Sequence, residues 1–425
     1  MKGWKGLAVG VTAVALAVAG CGSKSDSGSG SGGNKTLTVW LMTGSAPTTL
    51  TDALNKEFAD AHPGVKVDYQ VQQWDGIQQK LTTALASKTP PDVIELGNTQ
   101  TAQFADQGTL TDLSGSVKDL NGDQWLAGLK ESGAWKGKQY GFPFYAANRT
   151  VIYRKDLFQA AGIAQPPTSN AEWLDDIAKL KAANASDPEF QSLYLPGQSW
   201  YSLLSFIWDN GGDVATKSGD AFKAALDTPG AKAGVNFYKQ LVDASGTKAP
   251  KDTDEAKPQQ SDVFGKGKVA MMLALPWEAA GAIKADPTLK DKVSAFPIPS
   301  KDAGKTAPVF LGGSNLSIPA TSQNADLAKD YLKLLSSAKY QGQLAKGGAV
   351  PGTSTDVSGM DSDPIASAMG KASKAGKVTP ITPKWGPIEA GQNPLKNMLT
   401  AVLTGAKSVD DALAEANAAI NKALS

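Results

Sequence analysis

The sequence predicts an α/β fold divided into two lobes. The first observation is an alternation of apolar strands, Leu37–Met42, Val65–Val71 and Val93–Leu96, with helical segments between them. Such β-α-β units form parallel sheets with right-handed crossovers. The second is length, because the 390 residues from Thr36 to Ser425 exceed what one hydrophobic core ordinarily holds. We therefore expect two cores.

The opening β-α-β-α-β segment also predicts where a ligand binds. Apolar residues repeat every four positions in the first helix, which we expect Thr48 or Thr49 to cap and Pro63-Gly64 to end. In open α/β sheets, ligands bind beyond the carboxyl ends of the strands. That places Gly44-Ser45 and Gly97-Asn98-Thr99 at a binding edge.

The remainder of the chain is richer in helical patterns. Strands are predicted at Val151–Tyr153 and Val269–Leu275. The helical segments are Asn170–Ala183, Trp200–Asn210, Gly230–Asp243 and Gln260–Phe264. A last helix begins at Ser408, which forms a predicted capping box with Asp411.

The amino terminus resembles a bacterial lipoprotein signal. Lys2 and Lys5 precede the uncharged run Leu7–Gly20, which ends in small residues before Cys21, the only cysteine. This run is shorter than the ~20 residues of a membrane-spanning helix, so we expect its removal and lipid modification of Cys21. A plain secreted protein or an uncleaved anchor is the alternative. Gly22–Lys35, rich in Ser and Gly, is predicted to be a flexible tether. The globular part is then extracytoplasmic, on the outer face of the cell membrane.

Charge and composition exclude several classes of partner. Removal of residues 1–20 leaves 40 basic and 41 acidic residues, so nothing favours nucleic acid. One His and one Cys exclude a disulfide and a His/Cys metal site, and no cofactor is expected. Arg149 and Arg154 are the only arginines, which favours a neutral ligand over an anionic one.

Motifs typical of enzymes are missing. The sequence contains no serine nucleophile elbow, P-loop, dinucleotide fingerprint or helix with metal-ligand spacing. The single histidine, His62, precedes the helix-ending Pro63 and is interpreted as a solvated cap. Paired carboxylates for glycoside hydrolysis stay open, since any two acidic residues could meet in space.

Tryptophans near glycine and proline are candidates for sugar binding. They are Trp200, which is followed by Tyr201, then Trp208, Trp277, which precedes Glu278, and Trp385. An indole ring packs on the apolar face of a sugar while polar neighbours bind its hydroxyls. Core packing is an equally weighted interpretation for each. A structural role is predicted for Trp40, Trp125, Trp135 and Trp173.

Two segments resemble family 1 extracellular solute-binding proteins. They are Tyr140–Gly162, with its Tyr-Arg-Lys-Asp-Leu-Phe helix start, and Phe264–Met272 followed by Pro276-Trp277-Glu278. Further segments resemble the N,N'-diacetylchitobiose-binding lipoproteins of actinomycetes: Trp74–Leu81, Gly97–Thr101, Leu195–Tyr201, Phe310–Asn315 and Asn393–Gly405. The first loop carries Gly44-Ser45 in place of the charged pair of maltose binders, which disfavours maltose.

The resemblance implies a maltose-binding-protein-like, type II periplasmic-binding-protein fold with a three-crossing hinge. The crossings are expected near Phe144–Ala146, Lys305–Val309 and Lys346–Val350. Lobe one would comprise 36–145 and 309–344, and lobe two 146–306 and 345–425.

The resemblance also implies a site and a function. Aromatic residues of lobe two, Trp277, Trp385 and Trp200, would stack on sugar, and Glu278 lies beside them. The other implied contacts are Trp74, Asn98, Tyr145, Asn148, Arg149, Gly313, Ser314 and Asn315. The expected function is that of a monomeric, non-enzymatic, lipid-anchored receptor that delivers a neutral oligosaccharide, chitobiose-type favoured, to an ABC permease. A secreted carbohydrate-active enzyme and a cell-wall carbohydrate-binding module are the alternatives.

Overall fold

A computed structural model describes residues 35–74, 76–219, 221–353 and 358–425. The predicted signal segment 1–20 and the lipidation site Cys21 lie outside the described residues, as does the predicted tether apart from Lys35. In the part of the chain that is described, no helix has both the length and the apolar character needed to cross a membrane.

Helices and strands alternate along the first third of the chain. In order they are β1 (Lys35–Met42), α1 (Thr48–Ala61), β2 (Val65–Gln72), α2 (Ile77–Leu85), β3 (Val93–Gly97), α3 (Thr101–Asp106), α4 (Ala127–Ser132), β4 (Ala134–Trp135), β5 (Lys138–Gln139) and β6 (Phe142–Ala147). The predicted β-α-β-α-β segment is confirmed. Helix α1 starts at Thr48, but Pro47 is its N-cap residue and no side chain caps it, so the predicted threonine cap is wrong.

The middle of the chain is mainly helical. Its elements are β7 (Thr150–Arg154), α5 (Lys155–Ala160), α6 (Asn170–Ala183), α7 (Trp200–Asp209), β8 (Ala215–Ser218), β9 (Ala221–Ala224), α8 (Pro229–Ser245), α9 (Gln260–Gly265), β10 (Met271–Ala274), α10 (Pro276–Ala285), β11 (Val293–Phe296) and β12 (Val309–Phe310). The final part contains β13 (Gly312–Ser317), α11 (Ala325–Leu335), α12 (Ala338–Lys346), β14 (Val350–Pro351), α13 (Pro364–Ser373), β15 (Gly376–Lys377), α14 (Trp385–Ala390), α15 (Pro394–Thr404) and α16 (Val409–Leu424). Ser408 accepts a hydrogen bond from the Asp411 amide at 3.1 Å, as the predicted cap requires.

A six-stranded sheet in the order β14-β6-β13-β3-β1-β2 forms the centre of lobe one. Strand β1 pairs in parallel with β2 and β3, and the later strand β13 inserts antiparallel between β3 and β6. Apolar residues of helices α1, α11 and α12 pack on one face of this sheet, among them Phe58, Tyr331 and Tyr340, each with no exposed surface. The carboxyl ends of β1 and β3 therefore share one edge of lobe one.

Lobe two surrounds the three-stranded sheet β10-β7-β11. Its largest core joins this sheet to helices α6, α7, α8, α15 and α16, and the fully buried Trp173, Phe206 and Tyr238 lie within it. Burial of this many large side chains stabilises lobe two. The prediction of two cores is confirmed.

The three predicted crossings lie near the ends of paired strands. Strand β6 pairs in the lobe-one sheet as far as Ala147, and β7 pairs in the lobe-two sheet from Thr150. Strand β12 packs in the lobe-two core and pairs in parallel with β15. Strand β14 pairs with β6. The points at which the chain passes between the lobes stay a prediction.

Candidate functional site

A cavity of about 480 Å³ lies between the two lobes. Lobe one contributes the loops after β2 and β3 and the floor strands β6 and β13. Lobe two contributes α7, the start of α10, α14 and the loop before α9. The lining residues are Trp74, Gly97, Asn98, Thr99, Gln100, Tyr145, Ala147, Gly312 and Gly313 on the first side and floor, and Arg149, Tyr201, Glu255, Leu275, Trp277, Phe310 and Glu389 on the other. Its volume is that of a small-molecule site.

A second cavity of about 410 Å³ continues the cleft. Tyr145 and Trp277 line both cavities, so they mark the junction. The first loop, Gly44–Pro47, forms one wall of the second cavity, opposite helix α10. The prediction that Gly44-Ser45 lies at the binding edge agrees with this position.

Charged groups on the lobe-two wall are paired with one another. The Arg149 guanidinium donates to Glu255 and lies 4.8 Å above the ring centroid of Tyr201. Burial disfavours the Arg149 charge, but Glu255 and Glu278 outweigh this effect and raise its pKa. The one cation that lines the cavity is thus neutralised, which leaves no free positive charge for an anionic ligand among the described lining residues.

Tyr201 joins aromatic and acidic parts of the same wall. Its hydroxyl donates to Glu389, and its ring stacks on Phe310 with centroids 4.6 Å apart. Burial is the main cause that raises the pKa of the Glu389 carboxyl, and it also raises the pKa of Tyr201 well above the usual value. This wall offers flat apolar surface beside hydrogen-bond acceptors, the combination that a sugar ring requires.

Six of the twelve predicted ligand contacts line the first cavity: Trp74, Asn98, Tyr145, Arg149, Trp277 and Gly313. The Trp277 side chain is 50% exposed, which is unusual for a residue of this size and leaves a ring face free. Gly313 has φ +143°, and an added Cβ would lie 2.1 Å from the Tyr145 carbonyl oxygen, so only glycine fits there.

Three predicted contacts of lobe two do not line the cavity. Trp385 and Trp200 are 1% and 3% exposed and pack in the lobe-two core. Successive residues of a helix point about 100° apart, so Tyr201 reaches the cavity where Trp200 does not. Glu278 accepts from the Leu275 amide at 2.9 Å, which caps α10, and from Gln260.

The other three predicted contacts are completely buried. Asn315 donates to Thr101 and Ser132 at 3.0 Å each, and therefore ties β13 to its neighbours. Ser314 lies mid-sheet between Gly97 and Tyr145. Asn148 lies between β6 and β7 with no exposed surface. These three side chains therefore do not line the cavity, although nearby residues of the chain do.

Glu255 is the cavity residue that sequence reasoning missed. It lies in a loop without a motif, 106 positions from its partner Arg149. Arg149 is one of only two arginines, and a buried guanidinium requires a carboxylate partner. A search for that acidic partner could have pointed to Glu255. Thr99 and Gln100 belong to the loop Asn98–Gln100, which the resemblance implied as a source of polar contacts, and both line the cavity. Phe310 and Glu389 also line it but were not predicted as contacts. Among the described residues, no three His, Cys, Asp or Glu side chains are grouped to hold a metal ion.

The two lobes also touch beside the cavity, at Gly386 of α14. A methyl group added there would lie 3.2 Å from Gln103 Oε1 and 3.4 Å from the Thr99 carbonyl oxygen, both in lobe one. The absence of a side chain at Gly386 therefore permits this close approach.

A family profile described as bacterial extracellular solute-binding protein matches residues 43–342 of the sequence. The chain belongs to this family. It is 41% identical over 391 residues to the diacetylchitobiose binding protein DasA of Streptomyces coelicolor, an alignment that covers 92% of this chain and 90% of DasA.

Solved structures of solute-binding proteins have the same fold. The GacH receptor of Streptomyces glaucescens, described unliganded and in complex with acarbose, aligns over 92% of this chain and 98% of its own with a TM-score of 0.78 and 25% identity. The sugar-binding protein MalE of Xanthomonas citri aligns over 92% and 97%, with a TM-score of 0.79 and 24% identity. The predicted two-lobe, maltose-binding-protein-like α/β fold is confirmed.

Proposed function

We propose that this protein is the extracytoplasmic receptor of a carbohydrate ABC importer, and that its ligand is a neutral oligosaccharide of the chitobiose type. The observation that carries the proposal is the interlobe cavity, in which the exposed Trp277 lies on the same lobe-two side as the ion-paired and hydrogen-bonded Arg149, Tyr201 and Glu389. The 41% identity to a diacetylchitobiose binding protein supports this ligand class.

Capture follows from the position of the cavity between the lobes. A sugar that contacts both lobes stabilises the conformation in which they are close, and the short passages near Asn148, Leu311 and Pro351 absorb the rotation. The closed surface is then what the permease recognises. We propose that lobe one comprises 36–147 and 312–351, and that lobe two comprises 148–311 and 352–425.

Selectivity depends on matching the buried polar groups of the wall. Glu255 and Glu389 accept hydrogen bonds, so a ligand must present O–H or N–H donors to them. An analogue that lacks one donor leaves an acceptor unpaired and binds poorly. A negatively charged sugar would be repelled by these carboxylates and should bind more weakly, because no free cation lines the described part of the cavity.

A thermal-shift screen tests the proposal. The panel starts with N,N'-diacetylchitobiose and continues with cellobiose, maltose and longer chitooligosaccharides. A sugar at 100 times its dissociation constant adds about 2.7 kcal/mol to the free energy of unfolding. We expect chitobiose to raise the melting temperature most. Absence of a shift with every sugar would contradict the proposal.

Incubation with chitooligosaccharides separates a receptor from a carbohydrate-active enzyme. In the cavity, one oxygen of Glu255 accepts from Arg149 and one oxygen of Glu389 accepts from Tyr201, so both carboxyl groups are held by the protein. We expect the oligosaccharides to remain intact. Appearance of shorter products would favour the enzyme instead.

Lipid anchoring at Cys21 completes the proposal. Cys21 is the only sulfhydryl and follows the small residues Ala19 and Gly20. Replacement Cys21→Ser should therefore yield a folded, monomeric protein that is absent from membranes. Membrane fractionation and mass spectrometry of the amino terminus measure this, and an unmodified Cys21 in native membranes would refute it.

A further inference from the structure

Glu95 is a fully buried carboxyl group directly behind the wall of the cleft. It lies in β3 with no exposed surface, and it does not line either cavity. Its Oε2 accepts from the Met42 amide at 2.7 Å, and its Oε1 accepts from the Ser45 hydroxyl at 2.6 Å. Burial raises the pKa of Glu95, whereas the bonds from Met42 and Ser45 act in the opposite direction. Burial of a carboxyl group costs folding free energy unless hydrogen bonds compensate, so the role of Glu95 depends on what its bonds hold in place.

The partners of Glu95 lead from the core of lobe one to the cleft. Met42 is the last residue of β1, and Gly44, with φ +81°, turns the chain immediately after it. Ser45, 3% exposed, lines the second cavity. Its Oγ is 3.5 Å from the hydroxyl of Tyr145, which lines both cavities. Glu95, Ser45 and Tyr145 thus form one connected series.

We propose that Glu95 is a positioning residue for sugar binding. It holds Ser45 at the end of β1 and thereby fixes the hydroxyls of Ser45 and Tyr145 at the junction of the two cavities. This inference rests on the proposed function, because it assigns a role at the same site. The ligand chemistry it serves is a polar group of the sugar that passes beside Trp277, where both cavities meet.

The same strand provides a matched control at its opposite end. Asp92, just before β3, is 4% exposed and accepts from the Thr38 amide at 2.8 Å and the Ser322 hydroxyl at 2.7 Å. Asp92 and Glu95 therefore both accept from a β1 amide and from a serine hydroxyl, and Asp92 also accepts from the Asn324 side chain at 3.3 Å. Only Glu95 is connected to residues that line the cleft. A comparison of the two separates positioning of the site from support of the sheet.

The experiment compares Glu95→Gln with Asp92→Asn in the full chain. Each amide keeps the size of the acid but replaces one acceptor by a donor, so the serine hydroxyl can no longer donate to it and must accept instead. Both variants also lose a charged acceptor, and both should therefore lower the melting temperature of the free protein. Calorimetric titration with N,N'-diacetylchitobiose should show affinity reduced roughly tenfold for Glu95→Gln and within about twofold of wild type for Asp92→Asn. Ser45→Ala should weaken binding as well, and its effect should not add to that of Glu95→Gln.

Three results would overturn the inference: wild-type affinity in Glu95→Gln, equal loss in both variants, or additive losses for Glu95→Gln and Ser45→Ala. If Glu95→Gln does not fold, Ser45→Ala alone decides, since it leaves Glu95 in place. Failure of the wild type to bind any sugar refutes the proposed function. Hydrogen exchange of the segment Met42–Ser45 in the free protein then still tests Glu95: faster exchange in Glu95→Gln but not in Asp92→Asn supports its role, and unchanged exchange overturns it.

Discussion

Replacement of Trp277 by alanine is the most direct test of the sugar-binding wall. Trp277 is the second residue of α10, at the junction of the two cavities, and half of its side chain is exposed. A tryptophan buries on the order of 200 Å² when fully covered, so roughly 100 Å² remains for a ligand to cover. At about 25 cal/mol per Å² this surface contributes up to ~2.5 kcal/mol of binding free energy.

We therefore expect Trp277→Ala to weaken chitobiose binding by about 2 kcal/mol, close to 30-fold. The free protein should lose less stability than a core variant does, because only about half of the indole is covered in the free protein. Trp385→Ala is the matched control. Trp385 is 1% exposed in the lobe-two core, and such a truncation costs about 3–5 kcal/mol of folding free energy.

Titration calorimetry and a melting curve of each free variant measure the two effects separately. We expect Trp277→Ala to show the larger loss of affinity and Trp385→Ala the larger loss of stability. Wild-type affinity in Trp277→Ala would show that the indole does not contact the sugar. A melting temperature lowered as far as in Trp385→Ala would assign Trp277 to the core instead.

Further predictions concern closure and pH. Gly386→Leu should keep the lobes apart and reduce the affinity for sugar at least tenfold. Gly342→Leu in α12, which has open space around it, should leave the affinity unchanged. Equal affinities in the two variants would contradict a role for the interlobe contact. Saturating sugar should lower the radius of gyration in small-angle scattering, and identical scattering despite tight binding would refute hinge closure. Burial raises the pKa of Glu278 and Glu389, so the folded state binds more protons than the unfolded state above the ordinary value of 4.5. These two groups should therefore make the free energy of unfolding rise as the pH falls from neutral towards that value, and replacement of both by Gln should reduce the rise. Denaturant titrations at several pH values measure it, and an unchanged pH dependence in the double variant would contradict the assignment.

Local sequence determined the elements and the edge at which the site lies. Hydrophobic periodicity is a property of neighbouring residues, so it predicted β1, α1, β2, α2 and β3 and their parallel order. The carboxyl ends of parallel strands share an edge, which was sufficient to bring Gly44-Ser45 and Asn98 to the cleft. The segments of the other lobe that resemble sugar-binding proteins also reach the cavity.

Only the tertiary structure decided which side chain in each segment faces the cleft. A shift of one residue turns a side chain by about 100° in a helix and to the opposite face in a strand, and no local pattern fixes that choice when neighbours are equally apolar or polar. Tyr201 therefore replaces Trp200, and Gly313 lies in the lining while Ser314 is buried. The Arg149–Glu255 pair depends on packing between segments far apart in the chain, and that packing exists only once lobe two has folded.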